Sequence, residues 1–569
     1  MADAYKYQPL GPDQIRLLQL HDQPDELRLI QRIFHVTRAE CPPYTAISYV
    51  WGANQQVGRQ DLVCEDPHAK VNVTRNLELA LRSVARSKAK AASTAGQENG
   101  GQRSYVWADA ICINQCENEE KSRQVSMMQE IYQHAEDVHI WLGDGEANTG
   151  MAFNLIRELV QPHQRVESVQ WTLDSPCHKG DTQTLGMQNE DDLNGACDAF
   201  LAILERPWFT RIWIVQEVAA GKSAKVFCGN YSVDWNDLVK AVKFSLDMGL
   251  RAANIYGREQ ILRIAQTRDE YLVSSTGDGS AGEFERLQRL LFRHHGSSST
   301  VPHDMVYALR GLSGMPTIYE EHQRFVQSLM SSNYIPSMAD WNEMTKQIDY
   351  EKDIEDVYLE VASKVLSECQ TLDLLGACTW PRQSAALPSW VPDWSTSRTH
   401  RLLRQELESS TSKKFSLSAS ADFAQYEPRF YDEEGKATET YDSEIILYLG
   451  VSGFLIDTIE TFASVNDIRV RSLSNEVFQI LQGEHWEIAT TNGNLVCIVP
   501  VEAQGGDRIG LFQGAKTPLL LRRSTDDIDV ANEKDHDVSV WKLIGECYVE
   551  ETMDGSMFDI NKCTPIWIS

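Results

Sequence analysis

The sequence predicts an α/β domain followed by a mainly helical region and a small β-rich C-terminal domain. Three observations carry this prediction. Short apolar runs alternate with amphipathic helical spacing over residues 1–240, helical periodicity dominates 241–400, and short Val/Ile/Leu runs bounded by turn residues recur over 401–569. A polar stretch at about 161–193 reads as an insertion in the first of these regions.

The elements follow in order. Tyr44–Trp51 reads as a strand closed by Gly52, and Val73–Ser87 carries Leu77, Leu81 and Val84 at helical spacing. Ser87–Ser104, rich in Lys, Ala, Ser and Gly, reads as a loop, and Tyr105–Ile113 as the next strand. Asn118 is expected to cap a helix whose first turn holds Glu119 and Glu120 and whose inner face is Val125, Met128, Tyr132 and Ala135. Val138–Leu142 and Ala224–Cys228 read as strands, and between them Pro207 starts a helix running through Gln216 and Glu217 to Gly221. A soft segment at Ser274–Gly282 interrupts the helical region, and a Ser/Thr-rich, acidic linker near 405–442 precedes the last one. There Ile445–Val451, Asn494–Pro500 and Pro518–Arg522 read as strands of a small antiparallel sheet or barrel.

Composition narrows the class. A chain of 569 residues is too long for one ordinary core. With 53 Lys and Arg against 82 Asp and Glu, the net charge of −29 repels phosphate backbones and anionic headgroups, so neither nucleic acid nor membrane insertion is expected. The N-terminus lacks a signal-peptide core, and twelve cysteines scattered through apolar elements read as reduced thiols, which together suggest a cytoplasmic protein. Gly221-Lys-Ser223 lacks the earlier glycine of a phosphate loop, Gly143–Gly150 has the wrong spacing for a dinucleotide loop, and no Gly-x-Ser-x-Gly elbow or metal-ligand spacing occurs.

Two segments remain in which polar groups interrupt tryptophan-bearing apolar elements, Tyr105–Gln115 and Arg206–Glu217. With Tyr44–Gly52, and with the helix through Met128, Tyr132 and Ala135 leading to Leu142-Gly143, they resemble in order the three signature blocks of the fungal heterokaryon incompatibility (HET) domain. Asp304–Leu312, Leu387–Trp394, Gly505–Ile509 and Ile544–Tyr548 resemble segments common in long HET proteins. The resemblance implies non-self recognition and regulated cell death in filamentous fungi. The order of elements also resembles the flavodoxin-like layout of Toll/interleukin-1 receptor (TIR) domains, whose catalytic members use a glutamate on the corresponding helix to cleave NAD. Glu217 matches that position, displaced by one residue from the usual Trp–Glu spacing.

The candidate site is therefore Glu217 as catalytic carboxylate, with Tyr49, Trp51, Gly52, Asp109, Asn114, Gln115, Arg211 and Trp213 as substrate-binding residues. A carboxylate stabilises the oxocarbenium-like state of nicotinamide–ribose cleavage, and Trp213, one helical turn earlier, offers an aromatic platform. Arg211 could meet a phosphate, although its helical phase turns it away from Glu217. NAD would be substrate; no cofactor or metal is expected. Most of these residues also have a structural reading: Glu217 as a solvated helix residue or an ion-pair partner of Arg211 or Lys222, the tryptophans Trp51, Trp107, Trp141 and Trp213 as core anchors, Asp109 and Asn114 as caps or bridges of strand-end loops. Two function classes follow: a TIR-like NAD hydrolase active when assembled as a homo-oligomer, and a non-catalytic scaffold that self-associates or recruits an unknown protein partner.

Overall fold

The computed structural model describes residues 3–51 other than 12 and 22–28, then 59–94, 104–161, 190–247, 256–274, 282–315, 348–378, 382–396 save 383 and 385, 429–431, 437–438, 448–463, 486–524, and 540–569 save 554. The chain forms two compact units, each discontinuous in sequence: Met1–Gly279 with Tyr307–Glu351, and Ser280–Val306 with Lys352–Ser569.

The first unit is built on a ten-stranded sheet. Its strands are β1 (Asp3–Ala4), β2 (Gln14–Leu20), β3 (Ile30–Thr37), β4 (Thr45–Tyr49), β5 (Arg59–Asp66), β6 (Ala69–Thr74), β7 (Ser104–Trp107), β8 (Asp137–Trp141), β9 (Ala224–Cys228) and β10 (Tyr231–Asp234). They lie in the order β1-β6-β5-β3-β2-β7-β4-β8-β9-β10. The central four, β7-β4-β8-β9, are mutually parallel, and among themselves stand in the chain order second, first, third, fourth. Every residue of β4 is buried, as a strand flanked by parallel neighbours requires. The expected α/β class of this region holds.

Helices α1 (Arg75–Thr94), α2 (Asp109–Cys112), α3 (Asn118–Ser126), α4 (Met128–His134), α5 (Thr149–Val160), α6 (Glu190–Leu204), α7 (Trp213–Ala220), α8 (Trp235–Asp247) and α9 (Tyr256–Ser274) accompany the sheet. Several differ from expectation for local reasons. The Thr74 hydroxyl accepts the Leu77 amide, so α1 starts at Arg75, and it runs through part of the expected loop to Thr94. The strand expected over Tyr105–Ile113 stops at Trp107, because the Asp109 carboxylate accepts the Ala110 amide and nucleates the short α2. Glu117, not Asn118, caps α3: its carboxylate accepts the Glu120 amide at 2.8 Å. The helix expected from Pro207 breaks in two. Pro207–Thr210 is a 3-10 turn closed by the Thr210 hydroxyl on the Pro207 carbonyl, Arg211 is extended (φ −77°, ψ 140°), and α7 starts at Trp213. Gly52 and most of the expected insertion lie outside the described residues.

An ion pair ties β2 to α3. Arg16, wholly buried, donates to both carboxylate oxygens of Glu120 at 2.5 and 2.9 Å and to the carbonyls of Cys112 and Gln8. Glu120 also accepts the Asn114 amide at 2.8 Å. Burial alone would raise the Glu120 pKa, but the hydrogen bonds from Arg16 and the Asn114 amide hold it below the ordinary carboxylate range.

In the second unit the expected helical and strand-rich textures both occur. Helices Glu283–Arg293 and Ile354–Cys369 pack together. Strand Arg508–Phe512 pairs with both Leu519–Arg523 and Tyr448–Ala463, and through Val540–Glu546 and Thr564–Ile568 the five strands close into a ring. Closure leaves no open edge. Tyr448–Ala463 shifts register twice, which lets its far end leave the ring and pair with Trp486–Thr491. Among the described residues no helix is long and apolar enough to cross a membrane.

Removing one partner of the Arg16–Glu120 pair strands a buried charge. Glu120→Gln should lower stability by about 3–5 kcal/mol at neutral pH, read from urea unfolding; a loss within experimental error would show that the pair is dispensable.

Candidate functional site

The site starts from a topological gap. β7 pairs only with Thr45 and Ala46 of β4, so Ile47–Tyr49 run on beyond it, beside the turn into α2. Asp109 therefore lies next to the carboxyl end of β4. Its Oδ2 accepts the indole N–H of Trp51 at 2.9 Å, and the Tyr49 hydroxyl is buried beside it without a hydrogen bond of regular geometry.

From the other side comes α7, whose residues from Ile214 to Ala220 are all buried, Glu217 among them at 1 % exposure. A carboxylate there needs partners. The hydroxyl of Ser48, on β4, donates to Glu217 Oε2, and Ser48 Oγ accepts the Trp208 indole N–H at 2.8 Å. The Arg211 guanidinium stands 3.8 Å from Glu217 Oε1 and donates to the Tyr49 carbonyl. Arg211 was expected to point away from Glu217 by helical phase; the extended break before α7 removes that phase and turns it inward. The C-terminal carbonyls of α7 are held by Arg268 of α9, which donates to Val218 at 2.5 Å and to Gly221. Gly221 lies so close to β8 that a Cβ would meet the Val138 side chain at 2.5 Å.

Burial pushes the Glu217 pKa up to about 7, against the opposing pull of Arg211 and of the Ser48 hydroxyl. Burial raises Asp109 too, with Arg211, Trp51 and the Ala110 amide opposing it. Tyr49 and Tyr132 are driven well above the phenol range by burial, and their coupling to both carboxylates adds to it. The result is one buried electrostatic cluster, with the partly exposed Arg211, Asp109 and Trp51 on its outer side.

Tyr49, Trp51, Asp109, Arg211 and Glu217 are thus brought together. Trp213 opens α7, half-buried, one turn before Glu217. Asn114 and Gln115 are turned to their own loop: Asn114 Oδ1 accepts the Cys116 amide, and the Gln115 amide donates to the Asp109 carbonyl. Trp107 and Trp141 are fully buried, Trp107 edge-on to Tyr132 and Trp141 donating to Asn76. Ser48, Trp208 and Tyr132 were not singled out as site residues from sequence. The available signal was a hydroxyl in a strand read as buried. Among the described residues no group of three His, Cys, Asp or Glu is arranged to hold a metal ion.

Residues 44–217 match the family described as Heterokaryon incompatibility protein (HET). Residues 44–217 are thus a HET domain. The HET match begins at Tyr44, on the approach to the strand that carries Ser48, and ends on Glu217. Over 432 residues the chain is 25 % identical to Heterokaryon incompatibility protein 6, OR allele, of Neurospora crassa. That similarity covers 67 % of this chain and 58 % of the Neurospora protein, so the match spans less than two thirds of its relative's length. No solved structure matches.

The raised carboxyl has a sign that can be measured. Between an unfolded value of about 4.3 and the folded value of about 7, the folded state keeps a proton that the unfolded chain has shed. Stability contributed by Glu217 is complete below that window and is lost as pH rises through it. Wild type should therefore lose roughly 3 kcal/mol relative to Glu217→Gln between pH 4.5 and 8. Parallel stability–pH curves for the two proteins would contradict the raised pKa.

Proposed function

We propose that this chain acts in fungal non-self recognition and regulated cell death, and that its HET domain acts by hydrolysing NAD at the nicotinamide–ribose bond. The role in incompatibility rests on the HET family and on the Neurospora relative. The chemistry rests on one observation: a carboxyl with a pKa near 7 gathered with Tyr49, Trp51, Asp109 and Arg211 at the carboxyl ends of parallel strands. Open α/β sheets bind ligands beyond those strand ends. The second-first-third-fourth order of the parallel strands is that of flavodoxin-like sheets and supports the TIR-like reading. Glu217 stands on the last of three described helices between the third and fourth of them, a position compatible with the TIR-like reading.

In this reading the bond between nicotinamide nitrogen and ribose C1′ breaks, and its electron pair leaves with nicotinamide. Ionised Glu217 stabilises the cationic ribose. A water oxygen then bonds C1′ and releases a proton, giving nicotinamide, ADP-ribose and H⁺. Arg211, on extended backbone, swings from Glu217 to the substrate pyrophosphate and uncovers the carboxylate.

The burial of Glu217 and its contact with Arg211 favour a second reading, in which the HET domain is a non-catalytic scaffold that self-associates or recruits partners. Free nicotinamide released from NAD by concentrated protein separates the two. The hydrolase reading expects turnover that rises with pH through about 7 as Glu217 ionises and falls at least a hundredfold, on the order expected for a lost electrostatic group, in Glu217→Gln. Absence of turnover in both dilute and self-associated protein would leave the scaffold.

A further inference from the structure

Ser48 sits next to the carboxyl end of β4, wholly buried, with one hydroxyl proton and two lone pairs to dispose of. The Trp208 indole can only donate, and it donates to Ser48 Oγ at 2.8 Å. One lone pair of Ser48 is thereby taken by a fixed donor, and Trp208 is itself immobilised, fully buried and edge-on to both Phe209 and Trp235. The serine proton is left for Glu217 Oε2. A carboxylate has two oxygens, and here they are unequal: Oε2 is bonded to the sheet, whereas Oε1 faces the Arg211 guanidinium, on the side where the cluster is partly exposed.

We propose that Ser48, oriented by Trp208, is the positioning residue of the site: it anchors Oε2 of Glu217 and leaves Oε1 as the oxygen presented to the ribose of the substrate. The proposal rests on the hydrolase reading for the identity of the ribose, but the anchoring itself does not require turnover. The other charged or titratable groups facing Glu217 are Arg211 before α7, Asp109 after β7, Tyr49 on β4 and Tyr132 on α4. Arg268, on the packed helix α9, binds the end of α7 through its backbone carbonyls. Among the described residues the side-chain hydrogen bond to Glu217 comes from Ser48, so its loss falls on the carboxylate directly.

The test uses the full chain and three variants, Ser48→Ala, Ser48→Thr and Trp208→Phe, with the ionisation of Glu217 followed by the protonated-carboxyl infrared band that Glu217→Gln lacks. Removing the hydroxyl takes away a stabilising hydrogen bond from the ionised form. Ser48→Ala should move the midpoint alkaline by about one pH unit, a tenfold lower ratio of ionised to protonated carboxyl at a given pH. Ser48→Thr, which keeps the hydroxyl, should restore the wild-type midpoint, and Trp208→Phe should move it part of the way. In the presence of NAD the pH–rate profile should move with the infrared midpoint across the series. A midpoint unchanged in Ser48→Ala overturns the anchoring. If Ser48→Ala does not fold, a wild-type midpoint in folded Trp208→Phe overturns the orientation by Trp208. Midpoints that move as expected in a protein without turnover overturn the hydrolase reading and leave the anchoring standing.

Discussion

The first unit is organised by the burial of a carboxyl group in a helix that is buried almost throughout. Taking Glu217 out of water is unfavourable unless it is neutralised or provided with donors, and here those donors come from separate elements. Ser48 comes from the central strand, Arg211 from the break before α7, and Trp208 acts through Ser48 from the 3-10 turn. The contacts through Ser48 are far from local: Ser48 and Glu217 are 169 residues apart, and Ser48 and Trp208 are 160 apart. The parallel core, the early end of β7 and the break at Arg211 must all form before the carboxyl is satisfied. The same demand accounts for what would otherwise look like irregularities, a strand that overruns its neighbour and a helix that starts late.

Much of the architecture could be read in advance because periodicity is a local property. Ala224–Cys228 matches its strand residue for residue, Tyr44–Trp51 contains the strand it predicted, and Val138–Leu142 is displaced by one residue from Asp137–Trp141. Where the reading failed, side-chain chemistry at a boundary had overridden the pattern. Asp109 turns an apolar run into a helical turn, and Thr210 closes a 3-10 turn where Pro207 promised a longer helix. The candidate site followed the same division. Glu217 and Asp109 stood out as polar groups on apolar elements. Arg211 was read with the wrong orientation because a helical phase was assumed across a break. Ser48, a serine in a buried strand, carries no signal until its distant partner is known.

The remaining motifs of the second unit have structural tasks. Asp507, within Gly505–Ile509, accepts two hydrogen bonds from Arg522 at 2.8 Å and one from the Gln504 amide, fixing the entry to a ring strand. Ser389, within Leu387–Trp394, accepts the Leu543 amide and donates to the terminal Ser569 carbonyl, which ties this segment to two strands of the ring. Buried polar residues of this kind fix a register rather than a reaction.

The interleaved chain path has a consequence for how the HET domain can be inherited or exchanged. The first unit is completed by Tyr307–Glu351, far beyond the last residue of the family match. There Gly311 lies against α4 and α7 so closely that a Cβ would meet the side chains of Gln216 at 2.6 Å and Gln129 at 2.8 Å. A recombination junction anywhere between Glu217 and Gly311 would keep the whole signature and yet pair α7 with a foreign backing. Any bulkier residue arriving at position 311 would press on the residue next to Glu217. Substitution downstream of the signature would in this way reach the site through packing alone.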